Sequence, residues 1–520
     1  MLSQLMIPSN AMTLKSPFLL TTLNLILTIL LFGGFEGAQA QLPPSVPAEF
    51  TNLYALMQTD LTNFEATVDA NWKGTYYTNC KFAAVIEPAT DGGEGAAVSN
   101  VYYFKDGVLP FINALQGMGV KAVKFSINFP LLYQPYYTST NGLSYPAGYT
   151  NMINFASNVV SAVRERGMYL IMPTQNVFPF LLPSISGYYS SLSFSDYTNG
   201  RSAQIQTIAK MFEPDVLMMQ SEPITEVDNL TTNLSGRLDD PVVDTNMLAG
   251  FLNDLGRAGL RRTNTLIGAG MGTWQPSFDT YLTNFVNLPL DILDVHVYPI
   301  NRTTNDTVVT DFLQRTLQMA EAAHAKGMKV GMGEFWMQKE YDTELANPPS
   351  QLVFEGRNTY SFWSPLDREM LLCMVKLAHY QQYEFIDPFF TEYFFAYLNY
   401  TNEQPRIAGL AGAAAGTKLN SDEDAALSLA LAAGGVTSTG QAYEEYASTA
   451  SPVLDPSPRN SGYLTFSWTA VASEYQLEQS TNLTLGSWTV PHAAPRTVGA
   501  DYTNSFGLTN KEAFYRLYLP

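Results

Sequence analysis

Short apolar runs alternate along most of this chain with stretches whose apolar residues recur every three or four positions. The runs suit strands buried on both faces, and the recurring stretches suit helices laid against them. Eight runs stand out. Phe82 to Ile86 ends at Glu87. Lys121 to Ile127 ends at Asn128-Phe129-Pro130, and Met168 to Met172 runs into Thr174-Gln175-Asn176. Val216 to Gln220 leads to Ser221-Glu222-Pro223. Thr265 to Ala269, Ile292 to Tyr298, Met328 to Met332 and Glu384 to Phe390 complete the set. One intervening helix carries Val108, Phe111, Ile112, Leu115 and Met118. Another carries Met152, Phe155, Val159, Val160 and Val163, with Arg164 and Arg166 in its last turn and Gly167 as its stop.

Eight strands separated by helices predict a (β/α)8 TIM barrel. A doubly wound open sheet is the alternative, disfavoured because no Gly-x-Gly-x-x-Gly turn follows an early strand. The Ser/Tyr-rich stretch 181–199 reads as a loop. The Ala/Gly-rich stretch 408–435 reads as a flexible loop, with a helix over Ala425 to Ala433 as the competing choice. Gly440 to Tyr446 reads as a closing helix.

The period then changes to two. Tyr463 to Trp468, Tyr475 to Glu478, Ser487 to Val490 and Phe514 to Leu517 read as short strands of a small all-β, sandwich-like module. The expected organisation is a signal peptide over 1–40, a lead-in rich in Pro, Thr and Asn over 41–79, and a barrel over 80–448. A proline-rich linker over 449–461 and the β module over 462–520 follow.

The first forty residues carry the targeting signal. Lys15 precedes the apolar stretch Phe18 to Phe32, and Ala38-Gln39-Ala40 gives a small-x-small cleavage site before Gln41. Met12 is a second possible start. An uncleaved membrane anchor is the competing reading, opposed by the Ala-x-Ala site. The expected mature protein is secreted, periplasmic or cell-surface, with no membrane partner after cleavage.

Charge narrows the partners. Among 520 residues, 47 are acidic and 28 basic, a net charge of −19. This argues against nucleic acid or an anionic membrane. Aromatic content of 13% serves mainly the core, and rings left in a cleft would stack on sugar faces. The two cysteines, Cys80 and Cys373, are too few for a disulfide framework or a zinc site. One bridge between them and two buried thiols both fit.

Two acids carry the chemistry. Glu222 ends the fourth predicted strand and Glu334, in Gly333-Glu334-Phe335-Trp336, ends the seventh. Strand ends converge at the C-terminal face of a barrel. Two carboxyls brought about 5 Å apart there suit glycoside hydrolysis with retention of configuration. Glu226 is a rival acid close to Glu222. Glu87, Asn128, Gln175 and Asn176 are strand-end candidates for subsite contacts or loop caps. Trp274, Trp336 and Trp363 are candidate stacking platforms, with core packing as the competing reading. There is no Gly-x-Ser-x-Gly elbow, no His-Glu-x-x-His and no phosphate-binding glycine loop, so neither cofactor nor metal is expected.

On these motifs the chain resembles clan A glycoside hydrolases, the retaining (β/α)8 enzymes of the cellulase, mannanase and galactanase kind. Ser221-Glu222-Pro223 is similar to their Asn-Glu-Pro motif after strand four, and Glu334 to their nucleophile after strand seven. His296-Val297-Tyr298 is similar to their His-x-Tyr pair after strand six. The resemblance implies Glu222 as acid/base, Glu334 as nucleophile, Tyr298 as the donor that orients Glu334, and His296 as a partner of substrate or of a catalytic carboxylate. It spans about 80–448 in element order and is specific in these three motifs. Two departures stand out. Ser221 replaces the usual Asn, and the usual Arg near strand two has no counterpart, Lys124 being the nearest base. The expected function is an exported retaining hydrolase of β-linked poly- or oligosaccharides. The alternatives are a non-catalytic carbohydrate-binding or surface protein with a degenerate site, and a transglycosylase using the same carboxylates.

Overall fold

The computed structural model describes residues 46–520, apart from 73–76, 91, 101, 180–181, 183, 231, 302, 306–307, 346–348, 449–454, 460–462, 470–475, 481–487, 491–494, 499–500, 508–513 and 519–520. The signal-peptide reading over 1–40 lies outside the described residues.

Eight parallel strands close into a barrel: β1 Lys81–Val85, β2 Ala122–Lys124, β3 Tyr169–Pro173, β4 Val216–Met218, β5 Leu266–Gly272, β6 Ile292–Val297, β7 Lys329–Phe335 and β8 Phe385–Pro388. Each pairs with its neighbours in sequence, and β1 closes on β8. The strands are buried almost throughout because helices cover the outside and side chains fill the inside. Ala83, Ala122, Ile171, Val216, Met218, Ile292 and Phe385, drawn from six of the strands, form a cluster separate from the main core, as an interior layer does. Among the described residues, no helix is long and apolar enough to cross a membrane.

Strand β7 carries one residue too many. Val295 of β6 pairs with Met332, yet His296 pairs with Glu334, so Gly333 is bulged out of the ladder. The pairing with β8 shifts over the same stretch, Ile386 with Met332 and Pro388 with Phe335. A bulge re-aims the side chain beside it. Here that side chain is Glu334.

Two stretches read as loops are helical, and the lead-in and the cysteines find their places. The lead-in contains a helix, Thr51–Asn71, whose buried Leu53, Met57, Leu61, Phe64 and Val68 form a stripe at helical spacing. Its many Thr and Asn residues hide that stripe. The stretch 181–199 is not a loop over its described part. It carries the helix Ile185–Ser191 and the start of Phe194–Met211, the second opened by a Ser193/Asp196 capping box. Tyr188, Tyr189 and Tyr197 are its buried apolar positions. The Ala/Gly-rich stretch forms a helix over Ala413–Ala433, longer than the alternative allowed, and Gly434 ends it at φ +66°. Cys80 and Cys373 are both buried free thiols. Cys373 lies on the helix Ser364–Tyr380, and its thiol donates to the Leu61 carbonyl.

The C-terminal part is all-β. Asp455–Arg459, Tyr463–Thr469, Asp501–Gly507 and Arg496–Val498 form one antiparallel sheet in that order, and Gln476–Ser480 pairs with Phe514–Tyr518. Phe466, Trp468 and Leu477 are buried together, with Tyr515 and Leu517 packed on them. The strand Asp455–Arg459 falls within the stretch read as linker. Its Pro456 and Pro458 are tolerated because it is an edge strand. Arg496–Val498 and Asp501–Gly507 were not anticipated, since their polar sequences carry little apolar alternation.

Candidate active site

Glu222 stands just beyond β4 in extended backbone, where Pro223 opens the short helix Pro223–Asp228. Pro at the first helical position fixes that start. One Glu222 oxygen, Oε2, accepts from Thr225 Oγ1 at 2.5 Å. The other, Oε1, lies 2.7 Å from His296 Nδ1. Glu334 comes from the bulge in β7. Its Oε2 accepts from Tyr298 at 2.6 Å, and its Oε1 accepts from Lys124 Nζ at 2.7 Å.

His296 joins the two acids. Its Nδ1 lies 3.3 Å from Glu334 Oε2 as well as 2.7 Å from Glu222, and its Nε2 lies 3.1 Å from Asp294 Oδ2. Carboxylate oxygens face both ring nitrogens, so the ring is best satisfied with both protonated. Burial pulls His296 toward the neutral form. Glu334 first, then Asp294, outweigh that and push its pKa well above the ordinary value. One oxygen each of Glu222 and Glu334 and a ring nitrogen of His296 all lie within 4.8 Å of one another. A metal ion also accepts such spacing, but Lys124 already occupies one Glu334 oxygen and Tyr298 the other.

The Gly333 peptide is held from both ends. Its N–H donates to Asp294 Oδ1 at 2.7 Å, and its carbonyl accepts from Lys124 Nζ at 2.8 Å. A Cβ on Gly333 would meet Asp294 Oδ1 at 2.5 Å, so any larger residue forces Asp294 or the strand to shift. The next residue is thereby aimed inward. Burial raises the Glu334 carboxyl. Lys124 first, then His296, overcome this and hold it well below the usual carboxylate range. Both acids are buried, Glu222 6% and Glu334 7% exposed.

Behind β4 lies a second buried network. Arg201 pairs with Glu226 at 2.7 Å and donates to the Met219 and Thr174 carbonyls. Gln220 donates to Glu226 and to Asp244. Asp244 is wholly buried, and burial pushes its carboxyl up to about 8. The network ties the strand end before Glu222 to the helix that follows it.

Several candidates take other places. Glu226 lies on the helix Pro223–Asp228 rather than in a loop, and its pairing with Arg201 removes it as a rival acid. Asn176 belongs to the same network. It donates to the Glu226 carbonyl and accepts from Tyr197 and Arg201. Asn128 is fully buried and accepts from the Gln175 backbone N–H at 3.2 Å. Gln175 itself is half-buried. Ser221 is buried beside Glu222, and its hydroxyl makes no hydrogen bond. Glu87 sits past β1, electrostatically coupled to Tyr103 and Glu423.

The tryptophans separate. Trp274 is half-buried and sets its edge on Tyr298, with ring centres 5.7 Å apart. Trp336 is 1% exposed and lies against Tyr393. Trp363 is fully buried, stacks on Tyr54 and donates to the Arg357 carbonyl. Trp363 is packed in the core, the competing reading for these rings. Of the three, Trp274 is the one that combines open surface with contact to the acid pair's partner.

Asp294, Asp387 and Thr225 were missed, and Lys124 was seen only as the nearest base. A signal existed. Asp294, His296 and Tyr298 are two apart in a strand, so they share its inward face. Lys124 and Asp387 are charges in otherwise apolar strands.

No protein-family model matches this chain, and no curated protein matches it. Among solved structures it is similar to the β-glucosidase from Thermotoga maritima in complex with noeuromycin, at 10% identity over 61% of this chain and 87% of that one, TM-score 0.37. The family 1 β-glucosidase from Thermotoga maritima gives 12%, 61%, 87% and 0.36. The apo structure of β-glucosidase 1317 gives 13%, 61%, 88% and 0.34. The closed parallel barrel with its helices establishes the architecture, and at these identities and TM-scores the likenesses add no function.

Proposed function

We propose that this protein is a retaining glycoside hydrolase that cleaves β-linked poly- or oligosaccharides by double displacement. The observation that carries the reading is the acid pair itself: Glu222 and Glu334, from β4 and β7, present oxygens within 4.8 Å of each other. Retaining enzymes need about 5–5.5 Å between carboxyls, and inverting enzymes need room for a water.

The residues divide the work. Glu334, held ionised by Lys124 and oriented by Tyr298, attacks the anomeric carbon. Glu222, as general acid, supplies the proton to the departing glycosidic oxygen. Glu222 then takes a proton from water, which attacks the same carbon and releases Glu334. His296 holds the two carboxyls in register, and Asp294 holds His296. Trp274 is the half-buried ring available for a sugar face. The Ala-x-Ala site after the apolar N-terminal stretch supports export to a secreted, periplasmic or cell-surface location.

The test is a panel of β-glucans, mannans, galactans and xylans, with wild type, Glu222→Gln and Glu334→Gln. The reading expects one polysaccharide to be cleaved by wild type and by neither variant at a comparable rate. Equal cleavage by the variants defeats it. Binding without cleavage across the panel supports a carbohydrate-binding protein instead.

A further inference from the structure

Asp387, on β8, has no exposure, and neither of its carboxyl oxygens makes a hydrogen bond. Its nearest cation is Lys124, with Nζ 3.8 Å from Oδ2. That is beyond hydrogen-bond reach. Lys124 is held away because its ammonium donates to the Gly333 carbonyl and to Glu334. A carboxylate in such a place has lost its hydration and found no replacement, so the neutral acid is favoured. The other charged and titratable groups around it are Glu334 from β7, Asp294 and His296 from β6, and Tyr443 from the helix Ser438–Ser448. Burial pushes the Asp387 carboxyl well above its ordinary value; Lys124 opposes this, and Glu334 and Asp294 add to it.

The charges around the acid pair make the same point. The site gathers four carboxyls, Glu222, Glu334, Asp294 and Asp387, against two cations, Lys124 and protonated His296. Carboxyls outnumber cations two to one, so a proton held on Asp387 lessens the buried negative charge. Ionised Asp387 leaves a buried excess of negative charge.

We propose that Asp387 is a positioning residue that works by holding a proton: while it is neutral, Lys124 is committed to Glu334, and when it ionises, Lys124 is shared between two carboxylates and Glu334 loses its aim. The proton goes to solvent, and no other bond changes. The proposal rests on Glu334 being the nucleophile. It adds a residue on the eighth strand whose protonation limits the reaction at alkaline pH.

Two measurements test it in the full-length mature protein. The first needs no turnover. A difference infrared titration of wild type against Asp387→Asn should show a protonated-carboxyl C=O band in wild type at neutral pH, lost on alkalinisation and missing from the variant. The second is the pH profile of kcat on a cleaved β-glycoside. The alkaline fall should be steeper by one proton in wild type than in Asp387→Asn. Asp387→Ala serves if the Asn variant fails to fold. The absence of a band assigned to Asp387, or identical alkaline slopes, overturns the proposal. A band with no glycoside cleaved overturns the nucleophile reading and leaves the proton on Asp387 established.

Discussion

Lys124 Nζ lies 2.7 Å from Glu334 Oε1, and both groups are buried in the barrel. The same ammonium holds the Gly333 carbonyl at 2.8 Å. One lysine thus fixes both the charge of the seventh-strand acid and the peptide that aims it.

Lys124→Met should therefore act on both. Glu334 is held low chiefly by Lys124 against the opposing effect of burial. An acid with a depressed folded pKa contributes stability above its unfolded value, and loses it as pH falls through the folded one. Without Lys124 the acid limb of kcat/KM should move to higher pH. The destabilisation should be largest at neutral pH, about 3–5 kcal/mol for a broken buried pair. Lys124→Arg keeps the charge and should restore part of kcat. An unchanged acid limb in Lys124→Met would contradict this.

Gly333→Ala tests the bulge. The added Cβ falls 2.5 Å from Asp294 Oδ1, so Asp294 or the strand must shift. Overpacking of this kind costs about 1–3 kcal/mol. A displacement near 1 Å at the nucleophile costs about 100-fold in rate. The expected result is a folded protein by circular dichroism with kcat reduced far more than KM is altered.

Asp244→Asn tests the network behind Glu222. Burial raises Asp244 to about 8. An acid with a raised folded pKa weighs against the fold progressively as pH climbs from its unfolded value, about 3.9, toward the folded one. The melting-temperature difference between Asp244→Asn and wild type should favour the variant increasingly between about pH 4 and pH 8 and then level off. A difference independent of pH would show that Asp244 does not titrate in that window.

Trp274 and Trp363 should behave differently. Trp363→Ala removes a fully buried ring and should cost about 3–5 kcal/mol in stability, with KM little altered in the surviving folded fraction. Trp274→Ala removes a half-buried ring beside Tyr298 and should raise KM with a smaller loss of stability. Chemical denaturation and steady-state kinetics separate the two.

The barrel was legible because parallel strands covered on both faces must be apolar, and eight such runs are hard to mistake. Glu222, Glu334, His296 and Tyr298 were legible from their places at strand ends and their motifs. Tyr188, Tyr189 and Tyr197 misled, because buried tyrosines among serines look like a polar loop until a helix turns them to one side. Trp363 stays open in sequence between core and platform because an aromatic's burial depends on which helix covers it, here Thr51–Asn71 through Tyr54. Lys124, Asp294 and Asp387 come from β2, β6 and β8, and their meeting is a property of barrel closure. No local pattern reports it. The bulge at Gly333 is equally silent in sequence, since it is defined by pairing with two other strands.

The central claim is retention by Glu334 and Glu222, and the anomeric configuration of the first-formed product tests it most directly. Proton NMR of the reducing sugar, recorded within the first minutes of cleaving a β-glycan from the panel, distinguishes the two courses before mutarotation. The β-anomer appearing first is the result expected of an acid pair this close together. The α-anomer appearing first would mean inversion through a single displacement, and would contradict the roles assigned to both carboxylates.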